Sequence, residues 1–416
     1  MNKKEQPESP KKENMEKKEC LEFLAKIKNH FIENFPFLSD EDRDRFIDIL
    51  DKTLEDGEGS ENIDDFIKKI RQALVTLDNS HVDLIEKNVK KFKLDKNIYY
   101  KAGTFWLDIN GEPCEILSID ERPVSLIIEE RKKEIGGGTD EWKTYRATNT
   151  LMSSRLESES VIRVKNKDGE EIGVDARFIA NTTETGKTKM ENGEIVELTK
   201  EDFVTGKMLN EDIAYIAINS WANGISFDGK NIAELVEVEM ERLKNSKSII
   251  FDVRENDGGN SHLAHLVAGH FLKEKVPCSY FLIKKPGNKD MIRHDGRAIP
   301  NGEYYDQKVV ILTGSKCISS TDMFLTFLKD TGRAVTVGQT TGGGSGNPQP
   351  LDIKLGDREF NLRVSCWRNY RNNGMEIENN GIEPDIVVES TKDDVRGRVD
   401  RELEAAVTYV NSSYLS

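Results

Sequence analysis

The sequence predicts an α/β protein whose C-terminal half is an α/β core, preceded by a helical segment and a β-rich module. Over 206–416, near-continuous apolar runs alternate with amphipathic helices, a pattern typical of strands that helices cover on both faces. Over 96–205, short alternating stretches such as GTFWLDI and CEILSID are separated by Gly, Asn and Asp, which indicates strands and turns. Over 15–95, apolar residues recur at helical spacing.

Four segments follow from these patterns. Residues 1–14 carry Lys, Glu, Pro and Ser with almost no apolar side chains, which predicts a disordered tail. Residues 15–95 form the predicted N-terminal helical segment, and 96–205 form a β-rich module with one helix-like insert, PVSLIIEERKKEI. Residues 206–416 form the predicted core, in which strands such as SIIFDV, KVVILTG and AVTVGQTT alternate with helices such as TDMFLTFLKD.

Composition narrows the classes of partner. The chain of 416 residues has 75 acidic and 60 basic side chains, and this net charge of −15 argues against nucleic acid or an anionic membrane as a partner. No apolar run is long enough to span a bilayer, and the N-terminus lacks the apolar stretch of a secretory signal. The five cysteines are scattered without CxxC spacing, which argues against structural zinc or disulfides and predicts a cytoplasmic location. The oligomeric state stays open.

The stretch VILTGSKCISSTDMF (310–324) places two adjacent serines, Ser319 and Ser320, at the start of a predicted helix. A hydroxyl there lies near helix N–H groups that favour developing negative charge, which suits a nucleophile. The same position is also where serine commonly caps a helix, so either serine could have only that structural role. Cys317, between apolar residues, is expected to be a small buried side chain.

Two glycine-rich stretches follow strands. Gly258 and Gly259 end SIIFDVRENDGG, where a backbone free of side chains suits an oxyanion hole but equally an ordinary turn. The stretch GQTTGGGSGNPQP (338–350) lacks the Gly-Lys-Ser/Thr ending of a phosphate-binding loop, and we expect it to form a flexible wall beside a cleft.

The candidate base and acids are less distinctive. His81 lies in TLDNSHVDL, where a helix ends and a polar turn begins, and taken alone it resembles a solvent-facing turn residue. His262, His265 and His270 share one predicted helix without an HExxH frame, so no metal site is expected. Glu376 and Glu378 are two residues apart and share one face of an extended segment, so spacing does not choose between them.

The order of these stretches carries a family resemblance. DVRENDGG, LTGSKCISSTD, VGQTTGGG and GIEPDI occur in succession over 206–390. In this order they resemble the motifs of the C-terminal-processing, or tail-specific, serine peptidase family. The resemblance implies a peptidase core of the crotonase and ClpP type. It also implies Ser319 as nucleophile, with oxyanion donors from Ser320 and from Gly258 or Gly259.

Two positions depart from the family pattern. Asp322 stands where glutamate is usual, and Gly344 or a neighbour stands where many members carry the lysine that activates the serine. The stretch TLDNSHVDL resembles the histidine stretch of another branch, that of tricorn and the retinoid-binding-protein-like peptidases, which uses a histidine from the N-terminal region. That resemblance implies His81 as the general base, with Ser80 linking it to Glu378.

The function implied is a cofactor-free serine peptidase that acts on peptides or proteins. The module at 96–205 occupies the position of the family's PDZ domain, and its EILSIDERPV resembles a PDZ strand pair, so we expect a divergent PDZ-like cap. The alternative is a non-catalytic peptide-binding protein that keeps the cleft. A large distance between His81 and Ser319 would favour that alternative.

Overall fold

The protein was analysed as a computed structural model that describes residues 17–55, 63–180, 188–191, 194–288 and 290–412. The predicted tail, 1–14, lies outside the described residues. Within these ranges, no helix combines the length and the apolar character needed to cross a membrane.

The N-terminal segment packs three helices against a small sheet. Its elements are α1 (Lys17–Asn34), α2 (Asp40–Glu55), α3 (Ile63–Val75) and β1 (Asp83–Glu86). In α3 the buried side chains Phe66, Ile67, Ile70 and Leu74 follow the helical period, so one apolar face turns inward. This face belongs to a hydrophobic cluster shared with strands from the far end of the chain, which fixes the end of α3 against the core.

The middle module is built on an eight-stranded sheet with two helices. Its elements are β2 (Phe92–Leu94), β3 (Ile98–Lys101), β4 (Thr104–Ile109), β5 (Glu112–Ile119), β6 (Arg122–Pro123), α4 (Val124–Lys132), α5 (Asp140–Leu151), β7 (Ser153–Ser154), β8 (Glu159–Lys165), β9 (Glu171–Ala180), β10 (Thr188–Glu191) and β11 (Glu194–Glu197). The pair β10–β11 forms a separate hairpin. The sequence predicted one helix in this module, whereas the structure has α5 as well, which Thr139 caps by accepting a hydrogen bond from the Trp142 N–H.

The core is built around a six-stranded sheet that helices cover on both faces, and it also contributes strands to two smaller sheets. Its elements are β12 (Val204–Met208), β13 (Ile213–Ile218), α6 (Ile232–Arg242), β14 (Ser248–Asp252), α7 (Ser261–Gly269), β15 (Val276–Ile283), β16 (Ile292–Ala298), β17 (Lys308–Thr313), α8 (Ser320–Leu328), β18 (Ala334–Gly338), β19 (Gln349–Leu355), β20 (Arg358–Val364), β21 (Trp367–Arg371), β22 (Ile386–Val387), α9 (Lys392–Gly397) and α10 (Arg401–Ser412). The strand order of the six-stranded sheet is β12-β13-β14-β17-β18-β22. In it, β12 is antiparallel to β13, and the other strands are parallel.

The parallel strands explain where a site can form. Every residue of β14 is buried, because α6, α7 and α8 cover one face of the sheet and α10 covers the other. The carboxyl ends of β14, β17 and β18 lie side by side, and each leads into one of the motif loops singled out in the sequence. Loops at this edge of a parallel sheet commonly hold the ligand.

Two smaller sheets complete the chain. β19 and β20 form a hairpin that β1 joins as a third strand, with Asp83 opposite Arg363. This pairing carries the turn before β1, and with it His81, to the edge of the core. The second sheet has the order β16-β15-β21.

Candidate active site

Ser319 lies at the turn between β17 and α8 in a strained backbone conformation. Its φ is 63° and its ψ is −117°, values that side-chain-bearing residues rarely adopt. Its N–H donates to the Gly344 carbonyl at 2.8 Å and to Asp322 Oδ2 at 3.1 Å. These bonds hold the Ser319 hydroxyl toward the cleft, where it meets the His81 ring.

The Asp322 carboxylate stabilises this turn through hydrogen bonds. It is fully buried, and its carboxylate accepts hydrogen bonds from the N–H groups of Ser319 and Gly344 and from the Thr341 hydroxyl. Burial raises the pKa of Asp322 to about 7, against the opposing effect of these donors. The aspartate in the family's glutamate position thus fixes the backbone of Ser319.

Other residues near the serines have structural roles. The Thr321 hydroxyl donates to Asn256, and Ser319 itself stands at the N-cap position of α8. The Cys317 thiol is buried and donates to the Val253 carbonyl, and burial raises its pKa far above the usual range. Cys317 is therefore a buried side chain, as the sequence indicated, and a poor nucleophile.

His81 lies 238 residues before Ser319 in the chain, and its Nε2 is 3.0 Å from Ser319 Oγ. The Asn79 side chain fixes the backbone by accepting from the His81 N–H at 3.0 Å. Burial, and after it the positive charges of Arg363 and Arg146, lower the pKa of His81 to about 3. The ring is therefore neutral at pH 7, with Nε2 able to accept a proton from the serine.

Ser80 and Glu378 continue the chain of contacts behind His81. Ser80 Oγ lies 2.9 Å from His81 Nδ1, and the Ser80 N–H donates to Glu378 Oε1 at 2.6 Å. Burial raises the pKa of Glu378 to about 7, although the N–H groups of Ser80 and Ser345 and the Ser80 hydroxyl favour its charged form. Glu376 instead pairs with Arg368 at 2.8 Å. Of the two acids that spacing left open, Glu378 is thus the one hydrogen-bonded to Ser80.

The glycine-rich loop is held between two buried carboxylates. The Gly344 N–H donates to Asp322, and the next N–H, that of Ser345, donates to Glu378 at 3.0 Å. Residues 341–346 are all buried, so the prediction of a flexible wall was wrong for this part of the loop. A Cβ on Gly344 would overlap Ser80 Oγ, so the Ser80 hydroxyl fills the space that a side chain at this position would enter.

The residues expected to supply the oxyanion hole differ in their hydrogen bonds. Of the two candidate glycines, Gly258 already has a hydrogen-bond partner, because its N–H donates to Asn256 Oδ1 at 3.0 Å. Ser320 is the first residue of α8, where N–H groups have no partner within the helix. The Ser320 hydroxyl donates to the Gly259 carbonyl at 2.7 Å and so ties the two donor segments together.

The middle module contacts the site through the GGGT stretch before α5. The Thr139 N–H donates to the Gly342 carbonyl at 2.8 Å, and the Gly137 N–H donates to Asp78 at 3.2 Å. Gly137 has a φ of +65°, and a Cβ there would overlap the backbone at Ser80 and approach Glu378 Oε1 to 2.5 Å. The module therefore packs directly on the Ser80–Glu378 hydrogen bond.

A cavity of about 410 Å³ opens over Ser319 and His81. The N-terminal segment, the middle module and the core all contribute to its lining, which includes Ser80, Asp83, Trp142, Arg146, Ala222, Asp257, Gly259, Ile318, Met323, Ser345, Pro348, Arg363 and Trp367. Trp142, Arg146 and Arg363 were not singled out in the sequence. They come from separate segments, and no local motif marks them.

Comparison with known proteins places the core in a family. Residues 212–388 match the sequence profile described as Peptidase family S41. This match covers less than half of the chain and lies within the predicted core. The predicted resemblance to this peptidase family is thereby confirmed, whereas the use of a histidine in place of the lysine stays a prediction.

Curated relatives match part of the chain. A tricorn protease homolog of Saccharolobus solfataricus is 32% identical over 162 residues, which are 39% of this chain and 14% of that protein. A carboxy-terminal-processing protease of Bartonella bacilliformis is 31% identical over 146 residues, which are 34% of this chain and 31% of that protein. The chain thus matches less than a third of each relative's length.

A solved structure resembles the chain over nearly its whole length. Mature CPAF in complex with lactacystin superposes with a TM-score of 0.75, covering 95% of this chain and 98% of that one at 13% sequence identity. The likeness shows that the helical segment, the sheet-rich module and the α/β core recur together in one fold, which confirms the predicted α/β fold class.

Proposed function

We propose that the protein is a serine peptidase that hydrolyses peptide bonds through an acyl-enzyme on Ser319, with His81 as the general base. The observation that supports this proposal most strongly is the 3.0 Å distance between His81 Nε2 and Ser319 Oγ, which belong to residues 238 positions apart in the chain. A buried acid and a linking serine behind the histidine add the support expected for a catalytic histidine.

The first step transfers the Ser319 proton to His81 Nε2 while Ser319 Oγ attacks the substrate carbonyl carbon. The carbonyl oxygen becomes an oxyanion, which the N–H groups of Ser320 and Gly259 stabilise. The imidazolium then donates the proton to the leaving amine as the C–N bond breaks. Water, deprotonated by the same histidine, releases the acyl group in the second half of the reaction.

Ser80 and Glu378 act as positioning residues in this scheme. The Ser80 hydroxyl accepts from the His81 Nδ1–H, which keeps the tautomer with a free Nε2. The Glu378 carboxylate accepts hydrogen bonds from the N–H groups of Ser80 and Ser345, and so fixes both Ser80 and the glycine-rich loop. One carboxylate thereby aligns the base with the loop that holds the nucleophile.

We further propose a division of labour among the segments. Residues 15–95 supply the base, 206–416 supply the nucleophile and oxyanion donors, and 96–205 form a PDZ-like cap over the cleft. The substrate is a peptide or protein, because the core matches a peptidase family. A cytoplasmic location is supported by the five cysteines, all of which are free and buried.

Peptide hydrolysis by purified variants tests the proposal. Ser319→Ala and His81→Gln should each lower kcat by at least ~100-fold, the usual range for loss of a general base being about 10²–10⁴. The matched controls are Ser158→Ala and His294→Gln, which replace exposed side chains away from the cleft and should keep wild-type rates. A wild-type protein that binds peptides but cleaves none would instead support the non-catalytic alternative.

A further inference from the structure

Two arginines flank the proposed catalytic pair. Arg146 projects from α5 of the middle module, and Arg363 lies on β20 of the core; both line the cavity that holds Ser319 and His81. The Arg146 guanidinium lies 5.7 Å from the Trp142 ring centroid, so the tryptophan supports its orientation in the cleft. Two separate segments thus bring positive charge to one place.

Neither arginine is neutralised by an ion pair. Within the described part of the chain, no carboxylate lies within 4 Å of either guanidinium, whereas Arg254, Arg358 and Arg371 each pair with acidic side chains. The chain carries a net charge of −15, so carboxylates are abundant. Unpaired guanidinium groups facing a cleft are therefore available to a ligand.

Two carboxylates also line the cavity. Asp83 lies opposite Arg363 in the β1–β20 ladder. Burial raises the pKa of Asp257, and the nearby charge of Arg146 opposes this shift. At His81, however, the charges that act on the ring are those of Arg363 and Arg146, and both lower its pKa after the larger effect of burial. Both guanidinium groups therefore lie close enough to act on His81, despite the acidic protein around them.

We propose that Arg146 and Arg363 are specificity-determining residues that bind a carboxylate of the peptide substrate beside His81. This inference rests on the proposed peptidase function and names the class of substrate, an anionic peptide. The guanidinium group presents a planar fork of N–H donors that matches both oxygens of a carboxylate. The carboxylate belongs either to the chain terminus or to an Asp or Glu side chain, and the two sources share this chemistry.

A bound carboxylate also changes the base. By neutralising the two arginines, it removes the positive charge that disfavours the imidazolium form of His81. The His81 pKa then moves up toward its ordinary value, and proton transfer from Ser319 becomes easier. Acidic substrates should therefore gain in kcat as well as in KM, whereas a merely structural role for the arginines would give no such dependence on substrate charge.

Binding to the Ser319→Ala variant tests the inference without requiring turnover. The probes are pooled acetylated hexapeptides in matched pairs: free-acid against amidated C-termini, and internal Glu against internal Gln with amidated C-termini. Affinity is measured by competition against a fluorescent peptide from the tightest pool. The pair that shows the preference identifies the source of the carboxylate, and we expect about 10–100-fold tighter binding for its acidic member.

Second-site variants in the same background identify the residues. Arg146→Gln and Arg363→Gln should each reduce the preference, the double variant should abolish it, and Arg→Lys at either site should retain part of it. Arg297→Gln, which replaces an exposed arginine outside the cavity lining, is the control and should leave the preference intact. Equal affinity for acidic and neutral pools, or an unchanged preference in the double variant, would overturn the inference.

Failure of the peptidase proposal is detected separately. Wild-type protein is treated with a fluorophosphonate, which labels an activated serine and does not depend on peptide charge. Absent labelling contradicts the catalytic role of Ser319, while the binding preference still decides whether the arginines recognise a carboxylate.

Discussion

Replacing Gly137 with alanine tests whether the middle module positions the proposed active site. Gly137 has a φ of +65°, and a Cβ there would overlap the backbone at Ser80 and at Asn79. The left-handed conformation costs an alanine about 1–2 kcal/mol, and the overlap with backbone adds about 1–3 kcal/mol. We expect a loss of about 2–5 kcal/mol in unfolding free energy and a shift of Ser80 away from Glu378.

Gly103→Ala is the matched control for this substitution. Gly103 lies in the same module with a φ of +69°, but a Cβ there has nothing within 4 Å. It should therefore cost only the conformational term, about 1–2 kcal/mol, and leave the site unchanged.

The assay for both variants is the rate of fluorophosphonate labelling at Ser319, measured on protein whose circular dichroism shows that it is folded. Gly137→Ala should label at least ~10-fold more slowly than the wild type, because small misplacements of catalytic groups cost up to about 100-fold. Gly103→Ala should label within about twofold of the wild-type rate. Folded Gly137→Ala that labels as fast as Gly103→Ala would refute the coupling of the module to the Ser80–Glu378 contact.

Two further predictions concern the residues behind His81 and can be tested by mutation. Ser80→Ala should lower kcat roughly 10–100-fold, because it removes the hydrogen bond to the imidazolium. Glu376→Gln, which removes the partner of Arg368, should keep kcat within about threefold of the wild type. Steady-state kinetics measures both variants, and equal losses of kcat would contradict the prediction. The raised pKa of Glu378, about 7 against an ordinary 4.5, means that the folded state binds this proton more tightly than the unfolded state. The stability that this group contributes is present below about pH 4.5 and is lost as pH rises to 7. Urea titrations at pH 4.5 to 8 measure how the unfolding free energy changes with pH. Glu378→Gln should remove at most about 3 kcal/mol of the loss over this range, and an unchanged pH dependence would show that Glu378 does not titrate there.

The arrangement of the core could be predicted because its signals are local. Strands such as SIIFD read as continuous apolar runs since helices cover both faces, and ISSTD marks a strand-to-helix turn. The pairing of Ser319 with His81 was different. Nothing in TLDNSHVDL indicates a partner 238 residues away, and the prediction came from the family resemblance.

Other features depend on contacts that the sequence does not encode locally. The helix α5 was missed because its buried face includes Thr144, Ala147 and Thr148, which gives little apolar periodicity. The glycine-rich loop was predicted to be flexible, yet Asp322 and Glu378, distant in sequence, accept its successive N–H groups and fix it. The choice between Glu376 and Glu378 likewise needed distances, since both share one face of an extended segment.

The most direct test of the account is the site of covalent modification. Wild-type protein is treated with a fluorophosphonate, digested, and mapped by mass spectrometry, alongside Ser319→Ala and His81→Gln. A nucleophilic Ser319 activated by His81 should give a single adduct on Ser319 in the wild type, none at that site in Ser319→Ala, and labelling at least ~100-fold slower in His81→Gln. An adduct on another residue, or undiminished labelling in either variant, would contradict the assignment of Ser319 and His81 as nucleophile and base.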